Sequence, residues 1–489
     1  MTKKSSLKGH ALWSAVLQFS RFGGNAVIFL AMARFLSLEE IGAFGLAYAP
    51  IRWTQVLQKT GISNSVIVSL RSRHDTEQIN RDPVFTTLFY LAMAISLLVV
   101  GLLVVSGLVM ERTSTSDQPV GTMMLVMAIV PFAFGLASVP EGLLRKNLEI
   151  RSLALRTLAV QAAAAGLAVV MAIEGFGAWS LVGFAVLNAV ASSIISIVMA
   201  GWRPSGSPSL SSMKAQLPQF SAISGRALVS GAAMPMLQFL VGIVIGLEAA
   251  GAFQIAQRVY QILDALCLAP LRFLVLPLFS RAAEASEGKL SGDTVLRTMR
   301  IAGLVSAPFY LGTLAIADPA LTLVIGPENA SHAVPLLQIF CLLGINITSI
   351  TVLSQAFTVA GHAGMVFWRS IWMLCITIVL SGPALMLSVE AVILGFVISS
   401  YVALAVFYRQ IEQVFAISGA VTFGAVARPY LAATLAMAPV FALQWYLQPI
   451  MPLWGILVVQ ILLGALLYLA AAKFIAPKAF GELRRVLLR

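Results

Sequence analysis

The sequence predicts an all-α, polytopic membrane protein of about 14 transmembrane helices, built as two pseudo-symmetric six-helix lobes followed by two C-terminal helices. Three observations predict this fold: the composition, the recurrence of long apolar runs, and an internal repeat. Of the 489 residues, 59% are hydrophobic and only 11% are charged, and the mean hydropathy is +0.92. These values lie far from those of a water-soluble globular chain.

Apolar runs long enough to cross a bilayer follow one another along the whole chain. A crossing needs about 20 apolar residues in a helix, because the hydrocarbon core is roughly 30 Å thick. The run after Lys3, Lys4 and Lys8 has no small-residue cleavage pattern, so we predict a first membrane helix there and not a signal peptide. The predicted spans are 11–33, 41–62, 84–110, 120–141, 156–174, 179–200, 221–246, 253–278, 301–323, 335–359, 365–387, 389–408, 429–448 and 453–474.

The basic residues predict the orientation of the spans, because Lys and Arg remain on the cytoplasmic side. With the N-terminus inside, most of the 32 basic residues fall in cytoplasmic loops, and only Arg34 and Arg112 fall outside. Both termini are therefore expected in the cytoplasm. This asymmetry explains the net charge of +12, so nucleic acid is not expected as a partner.

An internal repeat predicts two lobes. Residues 38–47 and 247–256 agree at six of ten positions, each in the predicted external turn between the first two helices of a six-helix set. Both sets run in the same direction, and parallel repeats of this kind mark lobes that rock about a central site. A Gly-, Ser- and Pro-rich segment between the lobes is expected to be a flexible connector. The predicted domains are an N-lobe at 1–200, a cytoplasmic linker at 201–220, a C-lobe at 221–410, and helices 13 and 14 with a cytoplasmic tail at 411–489.

Polar residues inside the spans form stripes along single helix faces. Their spacing of three or four positions places the members of each stripe on one face of a helix. The repeat puts the stripes of the second and eighth spans at equivalent positions, where we expect them to face a shared cavity. The stripes comprise Ser14, Gln18, Arg21 and Asn25 in the first span, Tyr48, Arg52, Gln55 and Lys59 in the second, and Gln254, Gln257, Arg258, Gln261 and Asp264 in the eighth.

The candidate substrate-binding residues are arginines and neutral amides. A charge at the bilayer centre costs roughly 2.5–3.5 kcal/mol, so an intramembrane arginine is expected to face protein, water or a substrate. A guanidinium presents a planar fork of donors that matches phosphate oxygens, and amides suit sugar hydroxyls. Two simpler roles stay open, namely snorkelling of Arg258 and Arg272 and hydrogen bonding between helices. The candidates are Arg21, Arg52, Arg258, Gln18, Asn25, Gln55, Gln254, Gln257 and Gln261.

Asp264 is an acidic residue with a candidate role of its own. It lies within the eighth span, where it would either couple transport to a proton or cation or pair with Arg258 or Arg272. Acids at the external turns are instead predicted to be solvated helix N-terminal residues, which the helix dipole favours. These acids are Glu39, Glu40 and Glu248.

No enzyme, metal or cofactor is predicted. The chain lacks a GxxxxGK[ST] phosphate-binding loop, and no Ser/His/Asp or paired-carboxylate arrangement occurs at a plausible depth. The three cysteines lie in apolar runs without CxxC spacing, and the four histidines are scattered over termini and loops.

Five segments carry a family resemblance: ARFLSLEEIGAFGLAYA (33–49), GISNSVIV (61–68), EGLLRKNLEIRSLALRTL (141–158), LRFLVLPLFSRAAEA (271–285) and FTVAGHAGMVFWRS (357–370). They resemble the polysaccharide exporters of the multidrug/oligosaccharidyl-lipid/polysaccharide superfamily, particularly Wzx-type flippases. The resemblance implies a V-shaped pair of lobes, alternating access and a place in the bacterial inner membrane. The implied substrate is an undecaprenyl-pyrophosphate-linked oligosaccharide, moved from the cytoplasmic to the periplasmic leaflet for exopolysaccharide or lipopolysaccharide biosynthesis. Membrane lipids, a polysaccharide polymerase and a chain-length regulator are its candidate partners.

The resemblance also implies roles for three arginines. The lipid II flippases of the same superfamily use arginines in helices 1, 2 and 8 that are similar in place to Arg21, Arg52 and Arg258. One departure concerns an acid at the start of helix 2 in those relatives, where this sequence has Gly42. The resemblance therefore supplies no residue for the role of that acid.

Other functions stay open at this stage. A drug/cation antiporter of the same superfamily would carry acids in its lobes, and the first span contains none. A polysaccharide polymerase or ligase would need a sizeable external loop with catalytic polar residues, and a scaffold would not need buried arginines. The sequence leaves the glycan, the driving force (proton, cation or membrane potential), the oligomeric state and the roles of Glu39, Glu40 and Arg272 undetermined.

Overall fold

The computed structural model describes residues 25–63, 65–66, 83–113, 117–146, 150–205, 208–286, 289–448 and 450–487. Three residues of the first predicted stripe, Ser14, Gln18 and Arg21, lie outside these ranges. The described residues form helices and no strands, which confirms the predicted all-α fold class.

Nineteen α-helices and one π-helical segment make up the described chain. The π-helical segment, Val56–Ile62, directly continues α2. The α-helices are α1 (Asn25–Met32), α2 (Leu38–Gln55), α3 (Pro83–Thr113), α4 (Val120–Met127), α5 (Ile129–Lys146), α6 (Ile150–Ile173), α7 (Trp179–Ala200), α8 (Leu210–Gly231), α9 (Ala233–Val244), α10 (Leu247–Cys267), α11 (Ala269–Glu284), α12 (Gly292–Ile325), α13 (Pro327–Cys341), α14 (Gly344–Val359), α15 (Ala363–Ala384), α16 (Val389–Phe415), α17 (Gly419–Leu447), α18 (Leu453–Ile475) and α19 (Pro477–Leu487).

Nine helical stretches in the described ranges are long and apolar enough to cross a membrane. Two further pairs, α10 with α11 and α13 with α14, have this character as bent units, with bends of 43° and 44°. The predicted multi-pass membrane character is thereby confirmed, and the predicted span 179–200 coincides with α7. The total of about 14 spans stays a prediction.

A capping box fixes the start of α2, three residues before the predicted span. The Ser37 hydroxyl accepts a hydrogen bond from the N–H of Glu40 at 3.2 Å, and the Glu40 carboxylate accepts one from the N–H of Ser37 at 2.8 Å. This exchange satisfies two backbone donors that a helix start would otherwise leave open. The helix therefore begins at Leu38 and carries Arg52 about four turns later.

The chain divides into two compact units, Met1–Gln254 and Ile255–Arg489. The first unit holds α1 to α9 and the beginning of α10, so it extends beyond the predicted N-lobe and linker. Within the second unit, hydroxyl groups join three helices: Thr348 of α14 donates to Ser306 of α12 at 2.8 Å, and Tyr430 of α17 donates to Ser306 at 3.1 Å. The predicted lobe boundaries stay a prediction.

The segment after α7, predicted as a flexible linker, is anchored to the first unit. Trp202 is only 3% exposed and belongs to a buried apolar cluster with Phe85 of α3. The Thr86 hydroxyl donates to the carbonyl oxygen of Ser205 at 3.1 Å. Helix α8 begins at Leu210 and takes the place of the second half of the predicted linker. Composition predicted the break between α7 and α8. It did not predict that the segment is anchored, because that depends on where Trp202 packs.

The two copies of the repeat contact each other inside the first unit. A Cβ atom placed on Gly42 would lie 1.8 Å from the carbonyl oxygen of Leu247, and one placed on Gly251 would lie 2.0 Å from that of Leu38. The starts of α2 and α10 therefore approach each other backbone against backbone, which only glycine permits at both positions.

Candidate substrate-binding site

Helix α2 presents a polar face in its second half. The Nε2 group of Gln55 donates to the hydroxyl of Tyr48, so these two side chains share one face, as their spacing predicts. Arg52 lies on the turn between them and is partly buried. At about 1.5 Å of rise per residue, Arg52 lies roughly 21 Å along the axis from Leu38. The side chain of Lys59, the fourth member of the predicted stripe, lies outside the described part of the chain.

Gln238 of α9 holds the guanidinium group of Arg52. The Nη1 atom of Arg52 donates to the Oε1 atom of Gln238 at 3.1 Å, and Gln238 is 1% exposed. An amide oxygen orients a guanidinium without neutralising its charge. Gln238 is not among the site residues that the sequence predicts. Its signal was a single amide in the apolar run AMPMLQFLVGIV, which periodicity alone does not distinguish from a packing residue.

Gly45 makes room for a second buried amide beside Gln238. A Cβ atom on Gly45 would lie 2.1 Å from Oε1 of Gln254 and 2.6 Å from Nε2 of Gln238. Gln254 is fully buried, and within the described residues neither polar atom of its side chain has a hydrogen-bond partner. A buried amide in this condition has lost its hydration without replacing it, which costs about 1–3 kcal/mol. Gln254 therefore has donor and acceptor capacity that the described residues do not use.

Asn25 faces a neighbouring helix. Its Oδ1 atom accepts a hydrogen bond from Nε2 of Gln161 on α6 at 3.0 Å, and Gln161 is 5% exposed. This is the hydrogen bonding between helices that the sequence left open as the simpler role. The other two candidates of the first span, Gln18 and Arg21, lie outside the described residues.

The candidates of α10 beyond Gln254 lie in the second unit. Nη1 of Arg258 donates to Oε1 of Gln261 in a long hydrogen bond of 3.4 Å, and both side chains are partly buried. Gln257 is 2% exposed. The guanidinium of Arg258, like that of Arg52, thus has a neutral amide among its partners.

Asp264 pairs with Arg272 across the bend between α10 and α11. The two oxygens of Asp264 accept from the two terminal nitrogens of Arg272 at 2.6 and 2.8 Å. In an unbroken helix, eight residues span about 12 Å along the axis. Asp264 and Arg272 are eight residues apart and still form a bidentate contact, and the chain bends by 43° between them. Of the two roles predicted for Asp264, pairing is the one visible in this structure.

The acids at the predicted external turns lie at helix starts. Glu40 closes the capping box of α2, and its other oxygen lies beside Gly177, where an added Cβ would come within 2.1 Å of it. Glu39 and Glu248 are exposed in the first turns of α2 and α10. These positions agree with the expected stabilisation by the helix dipole.

The described site residues suit an anion that carries an uncharged polar extension. A guanidinium within a membrane helix attracts an anion, and buried amides offer both donors and acceptors to hydroxyl groups. The long apolar helices define a multi-pass membrane protein.

Comparison with known proteins supports this class and shows the family. A family model described as polysaccharide biosynthesis protein matches residues 31–334. The chain belongs to this family. It is 22% identical over 357 residues to the succinoglycan biosynthesis transport protein ExoT of Rhizobium meliloti (strain 1021), covering 73% of this chain and 70% of that protein.

Solved structures with the same fold are transporters. The lipid II flippase MurJ in an inward closed conformation matches with a TM-score of 0.74 at 13% identity, over 98% of this chain and 100% of that one. An inward-facing multidrug resistance transporter of the MATE family, in the MOP superfamily, matches with a TM-score of 0.61 at 15% identity, over 82% and 95% of the two chains. The fold is therefore shared by proteins named for a lipid-linked substrate and for drugs, so the fold alone does not distinguish the substrate.

Proposed function

We propose that this chain is a flippase of the bacterial inner membrane that moves an undecaprenyl-pyrophosphate-linked oligosaccharide from the cytoplasmic to the periplasmic leaflet by alternating access. The oligosaccharide is a repeat unit of an exopolysaccharide or lipopolysaccharide. Membership of a polysaccharide biosynthesis family supports the pathway, and the transport function named for the Rhizobium relative supports the activity. A polysaccharide polymerase and a chain-length regulator are the proposed protein partners, and both termini are cytoplasmic.

The contact between Arg52 and Gln238 carries this proposal. The Oε1 atom of Gln238 lies 3.1 Å from Nη1 of Arg52 and orients the guanidinium without adding a negative charge. A pyrophosphate offers the bidentate acceptor geometry that a guanidinium matches. Arg52 therefore binds the pyrophosphate, and Arg21 and Arg258 contribute further positive charge.

Neutral side chains would bind the glycan. Gln254 has two buried polar atoms without partners in the described chain, and hydroxyl-rich sugars supply both donors and acceptors. Gln18, Gln55, Gln257 and Gln261 belong to the same proposed amide lining, and Asn25 joins it only if its bond to Gln161 opens. The lipid tail remains in the bilayer.

Replacement of Arg52 tests the proposal. In a strain lacking the gene, Arg52→Glu is expected to abolish polysaccharide export at normal protein abundance. Arg52→Lys keeps the positive charge but loses the planar pair of guanidinium donors, so it should retain part of the activity. Arg34→Glu is the matched control, since Arg34 is an exposed arginine of the same unit, and it should export normally. Normal export by a normally abundant Arg52→Glu protein would contradict the proposal.

The competing function is a drug/cation antiporter, because the fold is shared with a multidrug resistance transporter of the MATE family. A cationic substrate requires an accessible carboxylate, and Asp264 is the candidate. Its two oxygens are bonded to Arg272, which counts against this role. Ethidium efflux from cells separates the two functions: an antiporter would lower cellular ethidium and lose this activity in Asp264→Asn, and a lipid-linked oligosaccharide flippase would do neither.

A further inference from the structure

A cavity of about 370 Å³ opens on the second unit among basic side chains. Its walls come from the start of α12, the first third of α17, and the turn from α18 into α19. Arg300, Arg428 and Lys478 line it, with small apolar residues between them. A volume of this size falls within the range of small-ligand sites, which is roughly 300–1,000 Å³. It shares no residue with the proposed substrate site.

Two of the three cationic groups at the cavity are available to a ligand. Arg300 donates to Glu482 of α19 at 2.6 Å and so ties α12 to α19. Within the described ranges, Arg428 and Lys478 form no ion pair, and both are exposed. The lining therefore carries two positive charges that no carboxylate of the described chain neutralises, which favours a phosphate group.

The cavity lies at one predicted surface of the membrane. Arg300 and Arg428 each directly precede a predicted span, and Lys478 follows the last span, so all three lie at cytoplasmic ends. Apolar surface is also exposed in this region: Val421 in the cavity wall is 54% exposed, and Phe474, near the end of α18 and four residues before Lys478, is 79% exposed. Positive charge next to exposed apolar surface fits a ligand that has both an anionic head and a hydrocarbon tail.

We propose that this cavity binds the phosphate of an anionic phospholipid from the cytoplasmic leaflet, between Arg428 and Lys478, with the acyl chains along the exposed apolar flank. Basic pockets between membrane helices on the cytoplasmic side suit anionic headgroups, and that leaflet is negatively charged. The ion pair between Arg300 and Glu482 holds α19 in place as the wall that carries Lys478.

Lipid titration of the purified full-length protein in neutral detergent tests the site. Short-chain phosphatidylglycerol, phosphatidylcholine and inorganic phosphate are added separately, and native mass spectrometry gives the bound fraction. Phosphatidylglycerol is expected to bind, and phosphatidylcholine and phosphate to bind far more weakly. The double variant Arg428→Gln, Lys478→Gln should weaken phosphatidylglycerol binding roughly 25-fold, because each basic residue at an anionic surface contributes about fivefold.

Two further variants make the result specific. Arg281→Gln with Arg409→Gln removes two exposed, predicted cytoplasmic charges outside the cavity and should leave binding unchanged. Arg428→Lys with Lys478→Arg keeps both charges and should bind as the wild type does. The proposal is overturned if the charge-removing cavity variant still binds phosphatidylglycerol normally, if the control weakens binding equally, or if free phosphate binds as tightly as the lipid.

Discussion

Gly42 and Gly251 form a reciprocal contact: each glycine meets the carbonyl oxygen of the leucine that begins the other's helix. Gly42 opposes Leu247 and Gly251 opposes Leu38, and both pairs are equivalent positions of the internal repeat. The contact therefore has local two-fold character, because exchanging the two repeat copies converts the pair Gly42–Leu247 into the pair Gly251–Leu38. The repeat thus creates two matched surfaces at the starts of α2 and α10.

Adding a methyl group to this contact should destabilise the protein. Gly42→Ala and Gly251→Ala each place a Cβ within about 2 Å of backbone, and we expect each to lower the free energy of unfolding by about 1–3 kcal/mol. The double variant should lose less than the sum, because both changes separate the same two helices. Thermal unfolding in detergent measures this. Gly101→Ala, whose added Cβ meets nothing within 4 Å, is the control, and equal stability of the Gly42→Ala and Gly101→Ala proteins would refute the contact.

Removal of the amide that holds Arg52 should impair transport more than folding. Gln238→Ala removes the amide oxygen that accepts a hydrogen bond from Arg52. A hydrogen bond that involves a charged group contributes about 1.5–3 kcal/mol, so we expect polysaccharide export to fall about tenfold or more. Gln238→Glu should be more severe, because the new carboxylate would neutralise Arg52. Gln460→Ala is the control, as Gln460 is also 1% exposed but bonds the carbonyl oxygen of Val440. Equal export by the Gln238→Ala and Gln460→Ala strains would show that Gln238 has no special role.

The pair Asp264–Arg272 is expected to behave as a unit. Asp264→Asn and Arg272→Gln each leave a partly buried charge without its partner, so each should lower the melting temperature, and the double variant should recover part of that loss. The i,i+4 pair of Glu141 and Arg145 is the comparison and should show a weaker recovery. Transport by the double variant decides whether Asp264 also couples transport to a proton or cation. A stable double variant that no longer transports would assign a coupling role to Asp264, and one that still transports would limit the pair to structure.

The capping box predicts which changes at Glu40 are tolerated. Glu40→Gln keeps an oxygen that accepts from the N–H of Ser37, so we expect near-normal export and stability. Ser37→Ala removes the reciprocal acceptor and should cost about 1 kcal/mol in thermal or chemical unfolding. Lost export by a stable Glu40→Gln protein would instead require a functional role for the negative charge.

The sequence predicted which segments form long apolar helices better than how those helices are interrupted. Hydropathy places α7 at its observed ends, since an apolar run bounded by loops has few alternatives. It does not locate the break at Leu268 or the one after Cys341, because an apolar residue looks the same in a helix and in a bend. The start of α2 depended on a hydrogen-bond exchange between Ser37 and Glu40, which a hydropathy profile does not contain.

For the candidate site, periodicity predicted shared faces but not partners. Tyr48 and Gln55 share a face because their spacing requires it. The partner of Arg52 is 186 positions away, and Asn25 faces Gln161, 136 positions away, so both contacts depend on how helices pack. The pattern of residues within one helix does not show which residue of a distant helix lies opposite.

The first compact unit ends at Gln254, well beyond the first copy of the repeat, and this limits how the chain can be divided. A fragment cut at residue 200 would carry Arg52 without Gln238 and Gly42 without Leu247. Two identical half-length polypeptides could make the glycine contact only by associating as a homodimer. In this chain both repeat copies lie on one polypeptide, so the strength of the glycine contact does not depend on protein concentration.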